Sequence, residues 1–397
     1  MKVLQINSVC GVGSTGRIAT DIHNILLEQG HDSFIAYGRD LPMNCDSSIR
    51  IGTKYDNYGH VALTRVFDKH GFGSKKATQD FITEVEKLDP DIIHLHNLHG
   101  YYINIEILFE YLKQANKPVV WTLHDCWAFT GHCSHFDFIG CNRWKTGCHD
   151  CPQTKNYPSS YIIDNSKSNY LMKKEIFTGI KNMTIVTPSK WLAELVKESL
   201  LREYPVKVIN NGINLDVFKP TKSNFREINH LNNKYVILGV ASVWDKRKGY
   251  EYFIELSKQI KEDVSIVLVG LTDKQIKELP KNIMGIAKTN NIIELAEIYS
   301  AADVFINPTL EDNFPTTNLE ALACGTPVIT FNTGGSVESI DESCGIVVSK
   351  ENVNELLNAI QNIRYNFKDR TACVNRSKLY DKNDKFREYI QQYCEVF

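Results

Sequence analysis

Short apolar runs with little polar interruption recur along the whole chain, at residues 3–6, 34–37, 92–95, 119–123, 185–188, 206–209, 236–240, 266–269, 304–307, 328–331 and 346–348. A strand with one wet face would alternate apolar and polar positions, so unbroken runs predict strands covered on both faces of a parallel sheet. Between them the apolar spacing becomes helical, at 17–29, 103–115, 190–201, 250–261, 319–324 and 353–363. This β–α alternation predicts an α/β fold of doubly wound sheets. Eleven strands exceed what one open sheet of up to ~10 strands holds comfortably. Two Rossmann-like domains are therefore expected.

The turn-forming Asn210, Asn211 and Gly212, followed by Pro220, place the boundary between residues 1–210 and 211–373. The polar stretch 222–234 reads as a surface excursion. A closing amphipathic helix is expected within 374–397, able to pack back on the first domain. Residues 125–165 mix aromatics, Gly, Cys, His and Pro without either periodicity. An irregular stretch that long is usually functional, or is held by something other than a core.

Composition narrows the picture. The 397 residues are 43% apolar and 23% charged, which is globular rather than disordered. The net charge of −2 gives no single-sign excess for nucleic acid, so no nucleic-acid partner is expected. No run approaches the roughly 18 apolar residues of a spanning helix. The amino terminus reads as a first strand and glycine loop rather than a leader, so the expected location is cytoplasmic. Thiols are then expected to be reduced.

The turn after the first strand carries Gly11, Gly13, Ser14, Gly16 and Arg17. Such glycines let backbone approach a ligand, and the following helix start favours anions; the alternative is a tight turn that only packs the helix. His124 and Asp125 follow the strand at 119–123, where open α/β sheets keep their sites, with Asp125 a candidate to orient the imidazole. His94 can simply be buried, whereas His96, Asn97 and His99 are candidates for the same cleft. In the second half, Lys246, Arg247 and Lys248 crowd a strand-to-helix turn suited to a diphosphate, unless they are only a solvated basic loop. Further on, Glu311 and Asp312 lie in a loop, Asn313, Phe314, Pro315, Thr316 and Thr317 lead into a helix, and Glu320 sits one turn inside. A carboxylate there can accept two sugar hydroxyls while helix-start N–H groups face phosphate.

The string from Glu311 to Pro327 resembles the E-x7-E and A-x-G-x-P-V signature of retaining glycosyltransferases of family 4. Asn211 to Asn214, Thr187 to Trp191 and Ser300 to Pro308 resemble further motifs of that family in the same order, so the resemblance spans nearly the whole chain. It implies the GT-B fold, two Rossmann-like domains facing a cleft, with acceptor binding in the first and nucleotide-sugar binding in the second. It also implies that Lys248 contacts the donor phosphates, Glu320 the ribose, one of the two acids the donor hexose, Gly13 the diphosphate and His124 the donor sugar. Two departures matter. The loop is one residue longer than the usual pattern, so spacing favours Asp312 and residue type favours Glu311. The arginine that usually precedes the lysine is absent, leaving Arg247 or Lys246 as substitutes.

Five of the eleven cysteines lie between Cys126 and Cys151. Cys133, Cys141 and the C-x-x-C pair Cys148 and Cys151 suit a tetrahedral structural zinc, with a disulfide or free thiols as the alternative. No Asp-x-Asp pair ends a strand, so a catalytic metal is not demanded. The segment from Trp121 to Cys133 also resembles sugar transferases of capsule and exopolysaccharide synthesis. Together these imply transfer of a hexose from UDP- or GDP-hexose to a lipid-linked or soluble saccharide, with peripheral contact at the inner membrane. The rival readings are a nucleotide-sugar epimerase of the same fold, a silent sugar-nucleotide sensor, and a zinc-stabilised binding protein.

Overall fold

The computed structural model describes residues 1–366 and 369–397. The strands are β1 (Lys2–Asn7), β2 (Asp32–Tyr37), β3 (Ser48–Arg50), β4 (Ile92–Leu95), β5 (Val119–Thr122), β6 (Met183–Thr187), β7 (Val206–Val208), β8 (Tyr235–Val240), β9 (Val264–Val269), β10 (Ile283–Ile286), β11 (Val304–Asn307), β12 (Val328–Phe331) and β13 (Gly345–Val348). The helices of the first half are α1 (Gly13–Glu28), α2 (Lys54–Phe67), α3 (Lys75–Leu88), α4 (Ile105–Ala115), α5 (Ser166–Phe177) and α6 (Lys190–Glu198). Those of the second are α7 (Phe225–Ile228), α8 (Tyr250–Ser257), α9 (Asp273–Lys277), α10 (Ile292–Ala301), α11 (Thr316–Ala323), α12 (Val353–Asn366), α13 (Arg370–Ser377) and α14 (Lys382–Val396). The chain forms two compact units, Met1–Asn210 with Asn383–Phe397, and Asn211–Lys382.

The first unit holds a seven-stranded parallel sheet in the order β3-β2-β1-β4-β5-β6-β7. Neighbouring residues of a strand point to opposite faces. Leu4, Ile93, Val119 and Ile185 thus join the core with Phe81, Leu108, Phe109, Phe177 and Leu192 from α3 to α6. Val3, Ile92, Val120 and Val186 pack instead with Ile18, Ile22 and Ile25 of α1 and with Phe386, Tyr389, Ile390 and Tyr393 of α14. The Tyr393 hydroxyl lies 2.6 Å from Nδ1 of His94, whose Nε2 lies 2.8 Å from the Thr122 hydroxyl. His94 is therefore a satisfied core histidine.

The second unit holds a six-stranded parallel sheet in the order β10-β9-β8-β11-β12-β13. Both units have the doubly wound α/β architecture expected from the strand pattern. The expected single closing helix is instead three elements: α13, a 3-10 turn at Lys378–Tyr380, and α14. Asp369 starts α13 by accepting from the Thr371 N–H at 2.8 Å. The chain is then pinned where the Ile213 N–H donates to the Tyr380 carbonyl (2.8 Å) and the Lys382 N–H to the Ile213 carbonyl (3.0 Å). A β-carbon on Gly212 would come within 2.5 Å of Lys382 Cα, so only glycine admits that approach. Among the described residues no helix is long and apolar enough to cross a membrane.

Phe386 is 1% exposed and belongs to the cluster that closes one face of the first sheet. Phe386→Ala should cost about 3–5 kcal/mol through lost burial and a residual cavity. Urea unfolding checks this; a midpoint unmoved from the parent would show that α14 is not part of that core.

Candidate functional site

Strand order reverses between β8 and β11 in the second unit, and ligand sites of open α/β sheets lie beyond the carboxyl ends of strands at such a reversal. The turn after β8 carries Arg247 and Lys248, and it ends at Gly249, whose φ of +77° and close approach to the Pro308 carbonyl exclude a side chain. That approach docks the basic turn on the loop after β11. The Leu310 N–H donates to the Arg247 carbonyl (2.7 Å), and the Arg247 guanidinium donates to the Glu311 carbonyl (3.0 Å). Arg247 thus braces the acidic loop. Lys248 forms an ion pair with the Asp312 carboxylate, and both are part-exposed.

Glu311 is 1% exposed, so of the two adjacent acids it is Asp312 that stands half-open beside the lysine. Behind Asp312, a β-carbon on Gly334 would lie 2.0 Å from the Asp312 carbonyl oxygen, and the Gly335 N–H donates to that oxygen at 3.1 Å. Helix α11 follows with Pro315 as its N-cap, no side-chain cap and no acid in its first turn, the arrangement that favours an anion there. Thr316 and Thr317 are half-buried at this start, whereas Asn313 and Phe314 are buried. The Phe314 carbonyl accepts from Asn211 at 2.9 Å. Glu320 accepts from the Tyr299 hydroxyl at 2.8 Å, and burial followed by the charge of Glu320 pushes that phenol well up. Asn318 ties the helix to its neighbours, accepting from Asn307 (2.8 Å) and donating to the Ser339 hydroxyl (2.9 Å).

In the first unit the strand order reverses between β1 and β4. Of the residues expected in the turn after β1 only Gly11 lies there, because α1 already begins at Gly13; Gly13 and Ser14 are exposed in its first turn and Gly16 is buried, its carbonyl accepting from the Gly11 N–H at 3.1 Å. His96, His99, His124 and Asp125 line one small cavity beyond β4 and β5. A chain of hydrogen bonds fixes the first of these rings. The Gln5 amide donates to the Ala19 carbonyl (2.9 Å), so its oxygen faces His96 Nε2 (3.0 Å). His96 Nε2 must carry the proton, which leaves Nδ1 to accept from His124 Nε2 at 3.1 Å. Burial holds His96 well below the usual imidazole range and His124 down to about 4, so both rings are neutral at pH 7.

His96 lines this cavity although it is 1% exposed, and its ring stacks on that of His124. Asp125, a candidate to orient His124, sits 2.8 Å from His99 Nε2 and accepts from the Trp127 N–H at 2.9 Å. Burial raises the Asp125 carboxyl, but the charge and hydrogen bond of His99 outweigh it and hold the group well below the usual range. His99 Nδ1 lies 2.9 Å from the Tyr157 hydroxyl. The Asn97 N–H donates to Asn7 at 3.3 Å and the Asn97 side chain stays half-buried.

The irregular segment that follows is anchored by buried charges. Lys173, 1% exposed on α5, donates to the carbonyls of Trp127 (2.7 Å) and Thr130 (3.1 Å), with its ammonium 3.4 Å from the Trp127 ring centre. Burial draws its pKa down to about 7. Asp68, fully buried at the end of α2, pairs with His132 and accepts from the Asn165 N–H at 2.9 Å. Burial lowers the His132 pKa, but the bond and charge of Asp68 more than reverse it, a net rise.

The zinc expectation is corrected here. Cys133, Cys141, Cys148 and Cys151 line one small cavity, yet among the described residues no group of three or more His, Cys, Asp or Glu side chains is placed to hold a metal ion. The thiols make other contacts: Cys133 hydrogen-bonds Cys151, and Cys148 meets the Gly131 backbone. The contact with Cys151 and burial push the Cys133 thiol well up, while the same contact draws Cys151 down to about 7.

Sequence reasoning missed Gln5, Tyr299, Lys173 and Asp68, which position the site from outside the motifs. Only Lys173 carried a signal, a charge on the apolar side of a weakly amphipathic helix.

Residues 15–217 match a family model described as Glycosyltransferase Family 4, and residues 234–366 match one described as Glycosyl transferases group 1. The chain is 27% identical over 371 residues to the putative colanic acid biosynthesis glycosyl transferase WcaC of Escherichia coli (strain K12), covering 90% of this chain and 89% of that one. It is 26% identical over 223 residues to the N,N'-diacetylbacillosaminyl-diphospho-undecaprenol alpha-1,3-N-acetylgalactosaminyltransferase of Campylobacter jejuni subsp. jejuni serotype O:2, covering 51% and 58%. Sucrose-phosphate synthase from Thermosynechococcus elongatus superposes with a TM-score of 0.76 at 19% identity, covering 100% and 99%. Anabaena Alr3699/HepE, solved in complex with UDP-glucose, superposes at 0.67 and 15% identity, covering 99% and 100%. These structural likenesses establish the GT-B fold.

Two outcomes are expected. Lys173→Ala leaves two buried carbonyls without their donor, at a cost on the order of 3 kcal/mol, and should speed limited proteolysis within 126–164; cleavage at the parent's rate would show that the ammonium is no brace. His60 and His124 are both drawn by burial from 6.5 to about 4. The unfolded chain takes up protons between those values that the folded one refuses, so their contribution to stability, present above pH 6.5, is lost as pH falls toward 4. Thermal melts at pH 7 and pH 5 should show the lower midpoint at pH 5.

Proposed function

The chain belongs to glycosyltransferase family 4, and from that premise we propose that it moves a hexose from UDP- or GDP-hexose to a lipid-linked or soluble saccharide in surface polysaccharide synthesis, as an exopolysaccharide or capsule. It is a retaining, nucleotide-sugar-dependent glycosyltransferase. The observation that carries the finer reading is the pairing of Lys248 with Asp312 at the β8–β11 reversal, four residues ahead of the uncapped start of α11.

In this reading the donor diphosphate lies against that helix start and draws on Lys248, Glu320 holds the ribose, and Asp312 holds the hexose. The bond from the anomeric carbon to the diphosphate oxygen breaks as the acceptor oxygen bonds to the same face. The acceptor's proton passes to the departing diphosphate. Charge grows on that leaving group, and a fixed cation with helix-start N–H groups stabilises it more in the transition state than before it. The family resemblance assigns Gly13, with Ser14 and Gly16 in the first turns of α1, to the diphosphate and neutral His124 to the hexose. Asn97, His99 and Asp125 are assigned to the acceptor. Glu311 serves as buried support rather than as the sugar-holding acid.

A lipid-linked acceptor is supported by one named relative, which acts on a diphospho-undecaprenol-linked sugar. Peripheral membrane contact is supported by Tyr55 (84% exposed) and Tyr58 (67%) on α2, with Tyr161 (61%) packed on Arg65 of the same helix. Aromatic rings beside a cation are apt for a headgroup layer.

The test is a thermal-shift panel of nucleotide sugars, followed by transfer from the best binder to candidate acceptors. Lys248→Ala should lower kcat by about 100-fold or more while the protein stays folded. Asp312→Asn should lose transfer, and Glu311→Gln should lose mainly stability. Parent-level turnover in Lys248→Ala would remove the lysine from the mechanism.

A further inference from the structure

The turn after β1 holds a second constellation that sugar transfer does not use. Cys10 ends the stretch leading into the glycine-rich loop and is fully buried. Cys45, half-buried in the segment between β2 and β3, packs against the buried cluster that holds Cys10. Cys45 Sγ stands 3.6 Å from His23 Nε2, and His23 Nδ1 stands 2.8 Å from the hydroxyl of buried Ser33. An imidazole ring, held from behind by a hydroxyl, therefore faces the more open of two neighbouring thiols. The backbone keeps the two thiols in register. The Met43 N–H donates to the Cys10 carbonyl at 3.2 Å, and a β-carbon on Gly11 would fall 2.0 Å from the Met43 carbonyl oxygen. The segment at 38–47 is thus laid directly on the glycine loop.

We propose that Cys10 and Cys45 form a peroxide-responsive dithiol, with Cys45 as the attacking thiolate, His23 as its proton partner and Cys10 as the resolving thiol. Oxidation then bonds the glycine-rich loop covalently to the segment between β2 and β3. The Cys45 thiolate attacks one peroxide oxygen and the O–O bond breaks. The departing hydroxide takes the proton held by His23 and leaves as water, and Cys45 becomes a sulfenic acid. Cys10 then loses its proton and bonds to the Cys45 sulfur; the S–O bond breaks and a second water leaves. Two sulfurs give up two electrons in all, and one peroxide accepts them.

The electrostatics agree with these separate roles. The hydrogen bond from Cys10 first, and then His23 against the effect of burial, draw Cys45 down to about 5, while the same hydrogen bond and burial push Cys10 up. A low-pKa, solvent-reachable thiol beside a second cysteine is the arrangement that peroxide selects.

Treatment of the full-length protein with one equivalent of hydrogen peroxide, then alkylation, digestion and peptide mapping, tests this directly. The expected product is a Cys10–Cys45 linked peptide pair, lighter by two hydrogens than the sum of its reduced parts and reversed by dithiothreitol. In Cys10→Ser, Cys45 should stop at the sulfenic acid and be trapped by dimedone. Alkylation of Cys45 in the untreated parent should change by less than about threefold between pH 8 and pH 6, whereas free cysteine in the same tube slows about tenfold per pH unit. A Cys45 that follows the free-cysteine profile overturns the proposal. So does a peroxide-treated parent in which Cys10 and Cys45 remain unlinked; neither reading depends on a variant folding.

Discussion

Every strand pair in both sheets runs parallel, and the placement of the chemistry follows from that constraint. A parallel strand must return through a crossover, so each strand's carboxyl end opens into a turn on the same edge of its sheet. In the second unit three adjacent turns, after β8, β11 and β12, supply Lys248, Asp312 and Gly334. In the first, the turns after β1, β4 and β5 supply the glycine loop, His99 and the His124–Asp125 pair. Glycines let these turns touch: Gly249 admits the Pro308 carbonyl and Gly334 the Asp312 carbonyl, each at about the distance a methyl group would occupy.

The stretch from Asp125 onward shows how a segment without regular structure gains order. It has too little periodic apolar surface to form a core of its own, and burial of Trp127, Phe129 and Trp144 leaves carbonyls that water cannot reach. An ammonium from α5 meets two of them, and a carboxylate from α2 holds His132. Each charge sits in a place hostile to it, as the depressed Lys173 value records. The arrangement tolerates that because the alternative is unpaired backbone in the same place.

The central strands were legible in the sequence because strands covered on both faces read as bare apolar runs, and residues 92–95 and 304–307 coincide with β4 and β11. The edge strands β3 and β10 were not. Ser48–Arg50 is short, half-buried throughout and of mixed polarity, as suits an edge, whereas Ile283–Ile286 is a four-residue run broken by Gly285. Helices α2 and α3 escaped notice because polar side chains dominate them. The motifs located the loops of the candidate site, but spacing favoured Asp312 while residue type favoured Glu311; the two differ in burial, which neither criterion reads. Cysteine spacing pointed to metal because it carries no information on where the side chains stand relative to one another in the fold.

The first unit is discontinuous in sequence, since residues from Asn383 onward complete the core that Val3 and Ile18 begin. The second unit is a continuous stretch and has all its strands once Val348 is made. During synthesis on the ribosome the earlier half must therefore wait, with one face of its sheet covered by α1 but not by α14, until α14 leaves the exit tunnel. The order of synthesis and the order of completion run opposite ways, so a stalled or truncated product would carry a finished later half behind an open, aggregation-prone apolar surface.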